Sequence, residues 1–156
     1  MNILFICTHN RCRSILCEAI TNQLSMGKLT ACSAGSQPAG EVHPLTLQYL
    51  QERHISVEGL HSKSWDEGEL SAPDIVITVC DSAASETCPV WLGNAVKIHW
   101  GLPDPSKLQG SDEETRKAFF NVMDMIESRI TKLLTLPLDD LSRDALQSEL
   151  KPIAGE

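Results

Sequence analysis

Short apolar runs and amphipathic stretches alternate along the chain. Apolar or β-branched runs predict four buried strands, at residues 3–6, 30–34, 74–80 and 96–100. Apolar positions repeating every three or four residues predict helices at 15–26, 44–54, 111–134 and, short and amphipathic, 138–150. Residues 55–73 are polar and are expected to form surface connections. This alternation predicts an α/β fold with a four-stranded parallel sheet and helices on both faces.

Several helix ends carry residues suited to them. Ser14 is expected to cap the first helix and Gly27 to end it. Ser111 and Glu114 form a capping-box pattern before the long third helix, and Pro137 ends that helix. We therefore expect one domain over residues 1–136 and a tail over 137–156, to which no function is assigned.

Composition excludes several classes of partner. The chain has 156 residues, with 13 basic against 21 acidic side chains and a net charge of −8. This charge argues against nucleic acid as a partner. We expect no leader before the first strand, and no apolar run in the sequence reaches about 18 residues. We expect a cytoplasmic, monomeric protein without a membrane partner.

Six cysteines, at 7, 12, 17, 32, 80 and 88, are expected to be free, catalytic or metal-bound thiols in a reducing compartment rather than a disulfide framework. Cys12, Cys17 and Cys32 are interpreted as packing residues. A zinc site is disfavoured because no cysteine pair has two-residue spacing and the histidines are scattered. No metal or cofactor is predicted.

The segment after the first strand has the pattern of an oxyanion-binding loop. Cys7 is followed by five residues, Arg13 and a helix, so backbone N–H groups and the positive helix end would converge on one point. The candidate binding residues are Thr8, His9, Asn10, Arg11, Cys12, Arg13 and Ser14. The same field would lower the pKa of the Cys7 thiol and make it a nucleophile. A dinucleotide loop is disfavoured, because residues 7–14 contain no glycine.

Two further candidates follow other strands. Cys80 ends the 74–80 strand, and the carboxyl ends of parallel strands share one edge of the sheet, so Cys80 is expected on the same rim as Cys7. Residues 81–89 are small and polar, and Cys88 lies among them. Asp104 lies between two prolines in the turn after the fourth strand.

Four motifs together resemble the arsenate reductases built on the low-molecular-weight protein tyrosine phosphatase fold. They are residues 7–14, 33–35, 79–80 with 88–89, and 99–101 leading to 104–105. Phosphatase relatives follow the Asp-Pro of the acidic turn with tyrosines, whereas Ser106 and Lys107 stand here and Tyr49 is the only tyrosine. Cys80 and Cys88 would also be superfluous to a phosphatase. These differences favour the reductase.

The resemblance implies a thiolate relay that reduces arsenate to arsenite in arsenic detoxification. Cys7 attacks arsenate, Asp104 donates a proton to the leaving oxygen, Cys80 attacks the Cys7 sulfur, and Cys88 moves the disulfide outward. Phosphate or sulfate would mimic the substrate. Thioredoxin is the expected reductant, with glutaredoxin or glutathione left open because the spacing of Cys80 and Cys88 is one residue longer than usual in the family.

Two other functions stay open: a phosphomonoester hydrolase, and a non-catalytic anion-binding or redox-sensing module.

Many members of the family that the chain resembles hold a potassium ion near the loop. The matching positions here are Asn10, Glu18, Ser33 and, in place of an aspartate, Lys63. We hypothesise that the Lys63 ammonium replaces the ion and pairs with Glu18.

Overall fold

The computed structural model describes residues 1–65, 73–79, 95–107 and 110–154. In chain order, its strands and helices are β1 (Asn2–Ile6), α1 (Arg13–Ser25), β2 (Thr30–Ala34), α2 (Pro44–Glu52), β3 (Ile75–Thr78), β4 (Val96–His99), α3 (Asp112–Leu134) and α4 (Arg143–Ala154). Short 3-10 turns lie at Pro105–Lys107 and Leu138–Asp140.

The strands form one parallel sheet in the order β2-β1-β3-β4. This confirms the predicted four-stranded α/β architecture. β1 is central, and its Leu4 lies opposite Cys32 of β2 and Val76 of β3. Because the chain leaves β1 toward β2 and then returns to the other side of β1, the order reverses between β1 and β3. Ligands of open α/β sheets bind at such a reversal, beyond the carboxyl ends of the strands.

The core lies where β1 and β3 are covered on both faces. Residues 3–6 of β1 are each at most 2% exposed, and residues 75–77 of β3 at most 1%. α3 contributes an apolar stripe at Phe119, Val122, Met123, Ile126, Ile130 and Leu133. Phe5 packs against Trp100, with the ring centroids 6.0 Å apart. This packing fixes the carboxyl ends of β1 and β4 against one another.

The first helix differs from its prediction at the start. α1 begins at Arg13, two residues early, and Cys12 is its N-cap without a side-chain cap bond. The expectation that Ser14 caps the helix is wrong, because its hydroxyl accepts a hydrogen bond from Asn10 inside the loop, at 2.8 Å. The left-handed Met26, with φ +49°, ends α1 just before Gly27.

Other boundaries move by a few residues. The N-cap half of the predicted capping box is confirmed, since Ser111 Oγ accepts the N–H of Glu114 at 3.2 Å. α2 ends at Glu52 rather than at residue 54, and the last helix begins at Arg143 rather than at 138, because a 3-10 turn follows Pro137. That helix packs against β4 and α3 through Leu146, Leu150 and Ile153, all buried.

The connection after α2 is less superficial than predicted. Ile55, Lys63 and Trp65 are each no more than 9% exposed. Gly35 and Ser64 form an isolated parallel bridge that ties this segment to the end of β2. The division of the chain at residue 136 stays a prediction. No helix in the described ranges combines the length and apolarity that crossing a membrane requires.

Candidate active site

The loop between β1 and α1 lies at the reversal of the strand order. Cys7, 5% exposed, directly follows β1, and its N–H donates to Ala34 O of β2 at 3.3 Å. On the other side, the N–H of Val79 donates to Ile6 O at 2.9 Å. Both neighbouring strands therefore hold the base of the loop.

The carbonyl groups of the loop are bound on its outer side. Three of them accept backbone N–H groups from the segment that follows β2: Thr8 from Gln37, His9 from Ala39 and Arg11 from His43, each at 2.9 Å. A trans peptide holds its N–H opposite its C=O, so the N–H of each following residue points the other way, into the loop. This is the arrangement that binds an oxyanion.

The close approach of β2 to the loop requires glycine at position 35. A Cβ atom there would lie 2.4 Å from Thr8 O and 2.6 Å from Cys7 O. These neighbours are backbone atoms of the loop itself, so a side chain at this position would displace the loop.

Asn10 sets the curvature of the loop from inside. It is buried and left-handed, with φ +46°, a conformation that asparagine tolerates better than most residues. Its Nδ2 donates to Ser14 Oγ at 2.8 Å, and its Oδ1 accepts the N–H of Lys63 at 2.8 Å. Both ends of the side-chain amide are therefore fixed.

Arg13 and Asp104 come together, although 91 residues separate them in the sequence. Arg13 Nη2 lies 3.5 Å from Asp104 Oδ2, and Nη1 donates to Leu102 O at 3.0 Å. The two side chains are 15% and 17% exposed. Arg13 Nε is buried and has no acceptor among the described residues, so an oxygen of a bound anion would satisfy a costly buried donor.

Three of the remaining thiols are held in the neutral form. Burial raises the pKa of Cys12 to about 12, against a smaller opposing effect of a hydrogen bond with Thr46. Burial also raises the pKa values of Cys17 and Cys32. Cys12 and Cys17 are core residues as predicted, whereas Cys32 is only partly buried. Burial next to the loop therefore suppresses the thiolate form of Cys12.

Lys63 pairs with Glu18, as hypothesised. Its Nζ lies 3.3 Å from Glu18 Oε1 and donates to His61 O at 3.1 Å. Ser33 Oγ donates to the same carboxylate oxygen at 2.7 Å. A potassium ion beside Glu18 would be repelled by this buried ammonium, so the residues present do not fit a bound cation there.

Two predicted site residues, Cys80 and Cys88, lie outside the described ranges. In the described parts of the chain, no group of three His, Cys, Asp or Glu side chains could hold a metal ion. The described site therefore consists of the loop, Arg13 and Asp104.

Sequence reasoning missed two contributors to the site. The Leu102 carbonyl, which orients Arg13, has no side-chain signature. Ser106 donates both its N–H and its hydroxyl to Asp104 Oδ1. The sequence does contain a signal for this contact, because an aspartate readily accepts hydrogen bonds from the residue two positions later.

Known proteins are similar to this chain in sequence and fold. The model of the low molecular weight phosphotyrosine protein phosphatase family matches residues 2–149. An arsenate reductase of Halalkalibacterium halodurans is 35% identical over 128 residues, 82% of this chain and 91% of the relative. Two solved structures are similar to the chain over 86% of its length. One, an arsenate reductase in the phosphate binding state, is 25% identical, with 96% of it covered and a TM-score of 0.69. The other, a thioredoxin-dependent arsenate reductase of Corynebacterium glutamicum, is 29% identical, with 60% of it covered and a TM-score of 0.62. The chain therefore belongs to the low molecular weight phosphotyrosine protein phosphatase family and is related, within it, to the arsenate reductases.

Proposed function

We propose that this protein reduces arsenate to arsenite, with Cys7 as the nucleophile. The observation that carries the proposal is an oxyanion loop, completed by Arg13 and Asp104, in a chain 35% identical to an arsenate reductase. Arsenate has the tetrahedral shape and the charge of phosphate, and a phosphate-binding state is known for a related reductase. The same inward N–H groups would therefore hold either anion.

Substrate binding would rearrange the Arg13–Asp104 pair. The guanidinium offers a planar fork that can bind two oxygens of the anion, and its Nε is a further buried donor. The loop residues Thr8, His9, Asn10, Arg11, Cys12 and Ser14 complete the binding site. Since the net charge of the chain is −8, attraction of the anion has to be local, from Arg13, Arg11 and the loop N–H groups.

In the first step, the Cys7 thiolate attacks arsenic. An S–As bond forms and an As–O bond breaks, and Asp104 protonates the leaving oxygen so that it departs as water. Arsenic is still in its +5 state, since no electrons have been transferred. The product is a covalent Cys7 arsenate adduct.

In the second step, the thiolate of Cys80 attacks the sulfur of Cys7. An S–S bond forms, and the electron pair of the S–As bond stays on arsenic, which leaves as arsenite in the +3 state. The sulfurs of Cys7 and Cys80 have then together lost the two electrons that arsenic gained. Cys88 next attacks the Cys80 sulfur, which regenerates the Cys7 thiolate and leaves a Cys80–Cys88 disulfide.

A dithiol protein would close the cycle by reducing that disulfide. Thioredoxin is the reductant we propose, because a related reductase 29% identical to this chain is thioredoxin-dependent. Glutaredoxin with glutathione is the alternative, and steady-state rates with each purified system distinguish the two. We further propose that the protein works as a monomer, which its sedimentation velocity would test.

A second candidate function is hydrolysis of phosphomonoesters. The family is named for phosphotyrosine phosphatases. The loop, Arg13 and Asp104 would serve phosphate transfer as well as they serve arsenate reduction. Against it, Ser106 and Lys107 provide no aromatic wall for a phosphotyrosine ring. Hydrolysis would also need neither Cys80 nor Cys88, so it should survive replacement of both by serine.

Disulfide mapping after a single turnover tests the proposal. The reduced protein is mixed with arsenate without reductant, and its disulfides are identified by mass spectrometry. We expect a Cys80–Cys88 bond in the wild type and a trapped Cys7–Cys80 bond in Cys88→Ser, with one arsenite released in each case. Cys32→Ser, which removes a thiol outside the relay, is the matched control. Arsenate binding without arsenite or a disulfide would contradict the proposal.

A further inference from the structure

The two carboxylate oxygens of Asp104 have different surroundings. Oδ1 accepts two hydrogen bonds from Ser106, from its N–H at 3.0 Å and from its hydroxyl at 2.6 Å. Oδ2 lies 3.5 Å from Arg13 Nη2. One oxygen is thus held by the turn, and the other faces the residue that would bind the anion.

The turn that carries both residues is well fixed. Pro105–Lys107 forms a 3-10 turn, Pro105 is buried, and the N–H of Lys107 reaches Asp104 O at 3.4 Å. Leu102, at the start of this segment, is 4% exposed and donates its N–H to Val79 O at 3.2 Å. The backbone therefore fixes the Ser106 N–H, and the hydroxyl reaches Asp104 Oδ1 without any loop movement.

We propose that Ser106 is a positioning residue that reserves Oδ1 of Asp104 and so assigns the transferable proton to Oδ2. The proposal deepens the proposed function and rests on it for the identity of the reaction. A neutral carboxyl group carries one proton. The N–H of Ser106 can only donate, and the hydroxyl donates to the same oxygen, so Oδ1 is kept as an acceptor and the proton belongs on Oδ2. Oδ2 is the oxygen on the Arg13 side, next to the expected leaving group.

The hydroxyl of Ser106 has a second effect, on the pH dependence of the reaction. A donor bound to a carboxylate stabilises the charged form, and its removal favours the protonated acid. Asp104 donates its proton in the first step, so activity falls on the alkaline side as this proton is lost. Removing the hydroxyl should therefore move the alkaline limb of the pH–rate profile upward.

For this comparison, the other charged and titratable groups that face Asp104 must be the same in the variant and in the wild type. Arg13 and, at longer range, Cys12 and His43 are the charged or titratable neighbours on the loop side, and Lys107 lies on the turn itself. Ser106→Ala leaves all of them in place. The shift between variant and wild type therefore reports the loss of one hydroxyl donor.

The experiment compares Ser106→Ala with Ser106→Thr, which keeps a hydroxyl, and with Ser56→Ala. Ser56 is an exposed serine outside the site, and its Oγ accepts the N–H of Glu58 two positions later, at 3.3 Å, instead of donating to a carboxylate. Single-turnover rates of arsenate reduction are measured across pH. In parallel, the carboxyl carbon of Asp104 is titrated by ¹³C NMR without arsenate, with Asp104→Asn to assign the signal.

We expect the alkaline limb and the carbon titration of Ser106→Ala to move together to higher pH, by about one pH unit. Ser106→Thr and Ser56→Ala should match the wild type. A slower reaction with both profiles unmoved would overturn the proposal, since a merely structural role would produce that result. A moved carbon titration with an unmoved alkaline limb would overturn it as well. If the wild type forms no arsenite at all, the proposed function fails, while the carbon titration still decides whether Ser106 governs the ionisation of Asp104.

Discussion

Replacing Glu18 by Gln removes one charge from a buried ion pair without changing the size of the side chain. Glu18 and Lys63 are 9% and 7% exposed, and their charged atoms lie 3.3 Å apart. In the variant, the ammonium of Lys63 stays next to the loop without its carboxylate. Because Lys63 also holds Asn10 through its backbone N–H, the loss is expected to affect both stability and loop geometry.

The size of the effect follows from the burial of the pair. Removing one partner of a buried ion pair costs about 3–5 kcal/mol. The lower end applies here, because the His61 carbonyl still accepts from Lys63 Nζ, at 3.1 Å, and the new amide oxygen can accept as well. For 156 residues the unfolding entropy is about 0.33 kcal/mol/K, so a loss of about 3 kcal/mol lowers Tm by about 9 °C.

Urea denaturation followed by circular dichroism measures this loss. The matched control is Asp124→Asn, the same chemical change in an ion pair with Arg53 whose Asp124 side chain is 60% exposed. That control should stay within about 0.5 kcal/mol of the wild type. Adding Lys63→Met to Glu18→Gln should recover part of the stability, since no unpaired charge is left. If Glu18→Gln is no more destabilised than Asp124→Asn, the reasoning about the buried pair is wrong.

Three further predictions concern the loop and its surroundings. The rate of arsenate reduction should be equal in potassium and sodium chloride at one ionic strength, because the buried Lys63 ammonium already pairs with Glu18 and would repel a cation there; a several-fold stimulation by potassium would contradict this. Gly35→Ala should weaken phosphate binding by about tenfold or more in calorimetry, because its Cβ would lie 2.4 Å from Thr8 O, and an unchanged affinity would refute the close-contact argument. Burial raises the pKa of Cys12 from 9.0 to about 12, so its stabilising contribution is complete below about pH 9 and is lost as the pH rises toward 12. The urea midpoint should therefore fall between pH 8 and pH 10, and iodoacetamide should modify Cys12 only in unfolded protein; rapid labelling of the folded protein at pH 8 would contradict the burial argument.

The sheet was predictable because its two central strands, β1 and β3, are buried on both faces. β1 and β3 read as uninterrupted apolar runs, and such runs are typical of the centre of a parallel sheet. The start of α1 was less predictable. Its first turn is fixed by loop bonds, such as the one from Asn10 to Ser14, and a pattern of apolar positions does not contain them.

Side-chain chemistry marks part of the proposed site. Cys7, Arg13 and Asp104 were proposed from residue type, order and resemblance, and the structure brings Arg13 and Asp104 into contact. The pairing of Lys63 with Glu18 was also anticipated, from a position where charge is reversed relative to the family. The contribution of Leu102 was not, because any residue could supply its backbone carbonyl.

In the proposed reaction, the described residues serve binding and the first displacement, and these steps are common to arsenate reduction and phosphate hydrolysis. The two reactions separate at the adduct on Cys7. Phosphorus keeps its oxidation state, so water must attack phosphorus to release it. Arsenic can accept an electron pair, so a thiolate can instead attack the sulfur of Cys7 and release arsenite. The choice between the reactions therefore depends on whether a second thiol attacks the Cys7 sulfur before water attacks the phosphorus or arsenic atom bound to it. In this chain Cys80 and Cys88 are the residues proposed to make that choice, while Arg13, Asp104 and the loop would serve either outcome.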